Sequence, residues 1–424
     1  MYLKKVLKMK CCVKRLLVFT LVLFMTWLPS IHRPIKADAA SQDAGIDFST
    51  TRQIIRGYGA ASVWCGALSD SYMNKLYSDI GLSILRVRIA PNEGWNSGNY
   101  SAWADELSNA KKAKARGATV FASPWTPPAS MKTNNSLIGG QLKESSYWDY
   151  ANYLKTFADH FANNGASLYA ISLQNEPDYV PSDYEGCGWS AIQFLNFIKY
   201  YGSPVVGATK IIMPESFGFN HAMSDATLND SSAASRVSII GGHLYGATIR
   251  DYPLARSKGK EVWMTEHLLN DQSIGGVMTT AKEIHDCMTI GNMNAYVWWW
   301  IISDANGLYN KSGQIQKRAY MLGQFAKYIR PGYYRVNATY SPQTNVYVSA
   351  YKGNGKAVIV SINMGTTGVA QNYTIGGGSI GTMTRTVTDA NQNMASATSL
   401  DASSGSFWAW LPAQSVTTMV GNLN

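Results

Sequence analysis

Charge is scarce in this chain. Asp, Glu, Lys and Arg make up 15% of 424 residues, against 46% hydrophobic, a balance that excludes an intrinsically disordered protein. Cysteine is nearly absent after residue 39. Cys65, Cys187 and Cys287 remain, an odd number without Cys-x-x-Cys spacing. That excludes a disulfide framework and a zinc site and allows at most one bridge, so buried apolar thiols are expected. The formal charge of +10 is also misleading: residues 1–39 hold eight basic residues and one acid, and the remainder carries 29 basic and 26 acidic groups, a net of +3. That is no footprint for nucleic acid. What the chain has in abundance is aromatic: 13 Trp and 25 Tyr, rings that suit cores or stacking grooves.

A Lys-rich start, an apolar run of 13 residues over 16–28 and the small-x-small site Ala37-Asp38-Ala39 read as an export signal over 1–39. The run is short for a bilayer span, and no later stretch looks like one. A secreted, extracellular protein is expected, with no membrane attachment after cleavage and a monomeric state.

From residue 53 a strand-then-helix rhythm begins. Strands are expected at 53–61, 83–89, 118–123, 168–173, 210–214, 237–241, 261–265 and 294–301, with helices between them, among them 68–80, 100–115 and 147–163. Eight short apolar strands alternating with helices predict an α/β fold, a (β/α)8 TIM barrel over 53–332. The rival is an open doubly wound sheet, which needs a Gly-rich phosphate loop after its first strand. Gly57-Tyr58-Gly59 is only a fragment of one. At Arg330-Pro331-Gly332 the rhythm stops. Residues 333–424 alternate in period two (NVYVSAY, AVIVSI) and read as an all-β side domain packed tightly on the barrel, with 40–52 contributing to it. Trp103 and Trp263 read as core residues. Trp408 and Trp410 alternate as strand residues do and read either as rings packed against the barrel, the reading preferred, or as a sugar-binding face of the β side domain.

Reacting groups in such a barrel stand at the carboxyl ends of strands. The fourth expected strand ends in Gln174-Asn175-Glu176-Pro177 and the seventh in Thr265-Glu266-His267. Three βα units apart, the two carboxylates would face each other across the barrel, where they could flank one glycosidic bond as acid and nucleophile, or as acid and base. Asn175 could hydrogen-bond a sugar hydroxyl. Trp64 and Trp125 follow the first and third strands and point to a groove. Neither His243 nor His267 is given a catalytic role, and His267, directly after Glu266, should turn away from the pocket. The chemistry requires no metal and no cofactor.

These residues carry a family resemblance. The stretches IRGYGAAS (55–62), LSILRVRI (82–89), VFASPWTPP (120–128), LYAISLQNEPDY (168–179), MPESF (213–217), HLYG (243–246), VWMTEH (262–267), YVWWW (296–300) and LPAQSVTT (411–418) resemble, in order and over nearly the whole mature chain, glycoside hydrolase family 30 in its bacterial xylanase branch. The resemblance implies a retaining endo-1,4-β-xylanase acting on xylan. Glu176 would be the general acid/base and Glu266 the nucleophile. Asn175, Trp64, Trp125, Tyr245 and Trp298 would bind substrate.

One departure bears on the substrate. The best-known members of this branch hold a glucuronate side group with an arginine just after the strand-eight tryptophans and with tyrosines after strand seven. Here the first loop reads Ile301-Ile302-Ser303-Asp304 and the second Leu268-Leu269-Asn270-Asp271. Neither contains the guanidinium fork suited to an anionic sugar. Cleavage independent of glucuronate is therefore expected. The alternatives are a strict glucuronoxylanase, an enzyme of the glucosylceramide or β-1,6-glucan branches, and a catalytically silent polysaccharide-binding protein.

Overall fold

Period-two alternation becomes a closed barrel because one face of each strand must fill the lumen while the other meets a helix. A computed structural model describes residues 42–424; the expected export signal over 1–39 lies outside the described residues. After strand β1 (Asp43–Asp47), the parallel strands β2 (Gly57–Ala61), β3 (Ile84–Ile89), β4 (Thr119–Pro124), β5 (Ala170–Ser172), β6 (Lys210–Ser216), β7 (Val237–His243), β8 (Glu261–Glu266) and β9 (Ala295–Trp298) follow one another round the barrel. It closes where β9 pairs with β2, Gly57 opposite Ala295. Ile84, Phe121, Ile212, Ile239, Trp263 and Val297 form the lumen cluster, a packed core with no pore.

The Gly57-x-Gly59 fragment serves strand packing. A Cβ on Gly59 would lie 2.2 Å from the Ile84 carbonyl oxygen, and one on Gly57 2.1 Å from Ser83 Oγ, so β2 and β3 approach too closely for any side chain there.

The helix Tyr147–Asn163 forms as its spacing predicts. Tyr150, Leu154, Phe157 and Phe161 recur on one face and are buried against the barrel, as an amphipathic stripe requires. Trp103 is fully buried, its Nε1 donating to Ala90 O at 2.9 Å. The expected helix 68–80 divides. Ser69 caps a short α-segment, Asp70–Met73, and the chain widens into a π-turn, Asn74–Asp79, that buries both Leu76 and Tyr77, neighbours that a regular helix would point in different directions. Among the described residues no helix is long and apolar enough to cross a membrane, and Cys65, Cys187 and Cys287 are free thiols.

The side domain is one nine-stranded sheet. Its strands β10 (Tyr334–Ala338), β11 (Val346–Gly353), β12 (Lys356–Asn363), β13 (Val369–Gly376), β14 (Ile380–Thr388), β15 (Ala395–Asp401), β16 (Ser406–Leu411) and β17 (Ser415–Leu423) take the order β15-β14-β17-β12-β11-β10-β1-β13-β16. β1 enters it between β10 and β13, antiparallel to the first and parallel to the second. β12 is buried on both faces: Ala357 and Ile359 join the domain's own core, while Val358, Val360 and Ile362 join the barrel's. Two-sided burial explains its unbroken apolar run. The helix Lys317–Ala326 seals the junction, where Gln324 Nε2 donates to Thr388 Oγ1 at 2.8 Å and Thr418 Oγ1 donates to Gln324 O at 2.7 Å. Trp408 and Trp410 do not pack against the barrel. They are 60% and 51% exposed, because Phe407, Ala409 and Leu411 occupy the inward face of β16 and alternation turns both tryptophans outward.

Candidate active site

The carboxyl ends of the barrel strands converge on three buried carboxylates, an arginine and a histidine. Glu266 is the last residue of β8. Glu176 stands just beyond β5, held at φ 46° with its N–H donating to Glu215 O at 2.9 Å. Glu215, near the end of β6, has φ 54°, and Trp64, beyond β2, has φ 56°. Left-handed backbone at non-glycine residues costs on the order of 1–3 kcal/mol each and gathers at functional sites. One carboxylate oxygen of Glu176, one of Glu266 and a ring nitrogen of His243 all lie within 4.8 Å of one another.

Arg86, fully buried on β3, organises the floor. Its Nη1 donates to Glu266 Oε2, its Nη2 to Asn175 Oδ1 at 2.6 Å, and its Nε to Ser123 Oγ at 3.2 Å, while Nη2 lies 3.2 Å from Glu215 Oε1. Trp125 covers the guanidinium, with Cζ 4.8 Å from the ring centroid. Because Asn175 Oδ1 is engaged, its amide NH2 is the group left to donate. His243 Nδ1 lies 2.8 Å from Glu176 Oε1 and 3.9 Å from Glu266 Oε1; its Nε2 is 3.8 Å from Glu215 Oε1. Tyr245 OH donates to Glu266 Oε1 at 2.8 Å.

This geometry divides the carboxyl groups. Burial raises the pKa of Glu176, and the neighbouring Glu266 charge adds to that, against the lowering effect of His243. Burial would also raise Glu215, but Arg86 and then His243 outweigh it and hold the group at about 2. Burial would lower His243; the charges of Glu266, Glu176 and Glu215 overcome this and carry it to about 9. Tyr245 is pushed far up by burial and by Glu266, so it remains a donor. Glu176, His243 and Glu266 are spaced so that a metal ion could reach all three, but a protonated imidazole and the Arg86 guanidinium beside them oppose a cation.

Above this floor lies a cleft of about 390 Å3 with Trp64, Trp125, Trp299, Trp300, Tyr245 and Phe217 among its lining residues. Trp64 and Trp125 meet at 5.6 Å between centroids, and Trp299 stacks on Trp300 at 5.1 Å. Trp298 is not part of it. It is fully buried, its Nε1 donates to Asn306 O at 2.8 Å, and the Arg318 guanidinium lies 4.5 Å from its ring. The sequence expectation of a substrate contact there is corrected: Val297 points into the lumen, so alternation turns Trp298 to the helix layer and Trp299 into the cleft. His267 turns outward, its Nδ1 2.7 Å from Glu283 Oε2 on the helix Ile274–Thr289.

Sequence reasoning assigned no role to Arg86, Glu215, Trp299 or Trp300. Arg86 had a signal, since it occupies the lumen-facing parity of β3 two residues after Ile84.

Two buried carboxylates sharing one cleft at the mouth of a closed (β/α)8 barrel, one with a raised pKa and the other held by an arginine and a tyrosine, define a glycoside hydrolase. Comparison with known proteins gives the same class. The family model for the glycosyl hydrolase family 30 TIM-barrel domain matches residues 100–265. The chain is 38% identical over 403 residues to glucuronoxylanase XynC of Bacillus subtilis (strain 168), covering 90% of this chain and 92% of that one. Among solved structures it is similar to the family 30 subfamily 8 xylanase Xyn30A of Clostridium acetobutylicum, with 60% identity, TM-score 0.89, and coverage of 90% of this chain and 100% of that one. A family 30 endoxylanase of Clostridium papyrosolvens C71 follows at 49% identity and TM-score 0.85, with the same coverage. The chain belongs to glycoside hydrolase family 30.

Proposed function

We propose that this protein is a secreted, monomeric, retaining endo-1,4-β-xylanase that cuts the xylan main chain without requiring glucuronate branches. The observation that carries the mechanism is the approach of Glu176 and Glu266 to within 4.8 Å, oxygen to oxygen. Retaining enzymes hold their carboxyl groups roughly 5–5.5 Å apart, whereas inverting enzymes leave roughly 6.5–9.5 Å for a water. The names of the relatives supply the substrate class. Support for export is the signal-like segment at 1–39.

In this reading the Glu266 carboxylate, aimed by Arg86 and Tyr245, attacks the anomeric carbon. Glu176, its pKa raised by burial, gives its proton to the leaving oxygen. A covalent glycosyl-enzyme forms, and the carboxylate left on Glu176 then takes a proton from water as that water releases the sugar. The amide NH2 of Asn175 would donate to the 2-hydroxyl of the sugar being cleaved, and Trp64, Trp125 and Trp299 would stack on ring faces.

Independence from glucuronate is supported by the cleft chemistry. No Lys or Arg is among the lining residues described. Asp304 turns to its own loop, accepting from Lys311 N at 2.9 Å. Arg88, 5.5 Å from the Trp64 ring, is gripped by both carboxylate oxygens of Glu185, so its fork is already taken. The test compares glucuronoxylan, neutral arabinoxylan and linear xylo-oligosaccharides. Comparable cleavage of all three is expected. Activity confined to glucuronate-bearing chains, with cuts at a fixed offset from each branch, would return the strict glucuronoxylanase.

A further inference from the structure

The side-domain sheet ends in two unpaired edges. Among the described strands, β15 pairs only with β14 and β16 only with β13. The sheet curls until these edges come into contact. Along the seam lies a cleft of about 510 Å3 lined from both sides. Trp408 and Trp410 stand on it from β16; Thr398 and Asp401 face them from β15, and Arg385 from β14.

Two residues apart on one strand, the indoles share a face about 7 Å from each other. Trp410 is held in place: a Cβ on Gly368 would lie 2.5 Å from its ring, so the indole rests directly on backbone. Arg385 reaches the Trp410 carbonyl with Nη1 at 3.5 Å, and its Nε is buried without a partner. Trp408 also borders a second hollow, of about 380 Å3, that includes Asn372 and Thr374. The concave surface therefore runs past both sides of this ring.

We propose that this seam is a second carbohydrate-binding groove, separate from the catalytic cleft, that holds a neutral β-linked polysaccharide chain. Flat exposed rings match the C–H faces of pyranose units. The two hollows are lined by one cation, Arg385, two carboxylates, Asp401 and Asp43, several hydroxyl groups and the amide of Asn372, a mixture that suits a neutral polyol better than a phosphate or an acidic peptide. The identity of the polymer as xylan rests on the function proposed above; the groove itself does not. Its role is to keep the enzyme on insoluble polymer between cuts.

Depletion binding to insoluble xylan tests this with the inactive Glu266→Gln protein, alone and combined with Trp408→Ala and Trp410→Ala. Both rings are more than half exposed, so their removal should leave the melting temperature unchanged. The dissociation constant is expected to rise by at least about tenfold, whereas Trp408→Phe combined with Trp410→Phe should retain most of the affinity. In the otherwise wild-type enzyme, the two alanine changes should leave kcat/KM on soluble xylohexaose within about twofold and lower the rate on insoluble xylan. Equal binding by the alanine variant and its parent would overturn the proposal, as would an equal loss on xylohexaose. Displacement by a strand-forming peptide but not by soluble xylan would make the seam a peptide site and overturn it as well. If the wild-type enzyme hydrolyses no xylan, the proposed function has failed, and the same pair of proteins on insoluble β-glucans and mannan decides the groove: loss in the alanine variant supports it, and no difference overturns it.

Discussion

His243 Nδ1 lies 2.8 Å from Glu176 Oε1, with the imidazole wholly withdrawn from solvent. That contact favours the ionised form of the acid, so Glu176 is held below the pKa its burial alone would give. Replacing His243 with Gln removes the charge and should move the alkaline limb of the kcat/KM profile upward. A limb that stays in place would show that another group sets it.

The same cluster fixes the pH range of stability. His243 is raised from 6.5 to about 9, so its contribution is complete below about pH 6.5 and is lost as pH rises through 9. Glu215 is lowered from 4.5 to about 2, so its contribution is complete above about pH 4.5 and is lost as pH falls through 2. Each shift corresponds to on the order of 3 kcal/mol. Thermal unfolding against pH should show losses on both sides of a plateau. Glu215→Gln should lower stability on the plateau and flatten the acid side; His243→Gln should do the same on the alkaline side.

The two carboxylates should differ in how substitution affects them. Glu266→Gln removes the proposed attacking group and should lower kcat by roughly 10⁴-fold or more on every substrate. Glu176→Gln should cost roughly 10²–10⁴-fold on xylan and much less on an aryl xyloside whose leaving group needs no proton. Equal losses on both substrates would remove Glu176 from the acid role.

Tyr245 donates to Glu266, the proposed nucleophile, at 2.8 Å. Hydrogen bonds to charged groups contribute about 1.5–3 kcal/mol, so Tyr245→Phe should lower kcat/KM by roughly 10- to 150-fold with little change in melting temperature.

Trp64 and Trp298 should separate binding from folding. Trp64 is 46% exposed over the cleft, and Trp298 is buried beneath Arg318. Trp64→Ala should raise KM by roughly tenfold at nearly constant stability. Trp298→Ala should cost about 3–5 kcal/mol of stability, as large-to-small changes in a core do. The reverse pattern would mean that the strand phase is wrong.

That phase marks the limit of what the sequence discloses. Eight barrel strands are legible because each is a short apolar run, and Glu176 and Glu266 are legible because each polar residue interrupts such a run at its carboxyl end. Trp298-Trp299-Trp300 offers no alternation, so nothing local says which ring faces inward; Val297 in the lumen decides it. Arg86 was hidden for a related reason. In an alternating strand an arginine reads as a solvent-facing residue, but at the mouth of a barrel the inward face is the site itself. Trp408 and Trp410 are the converse case: their alternation is plain in the sequence, but the side facing water depends on which neighbours fill the sheet's interior.

The central claim is that Glu176 and Glu266 act as a retaining pair on one linkage. Time-resolved proton NMR of the first sugar released from xylan tests it most directly. The β-anomer should form first and then mutarotate. Initial release of the α-anomer would contradict the account, since it requires water rather than Glu266 to attack the anomeric carbon.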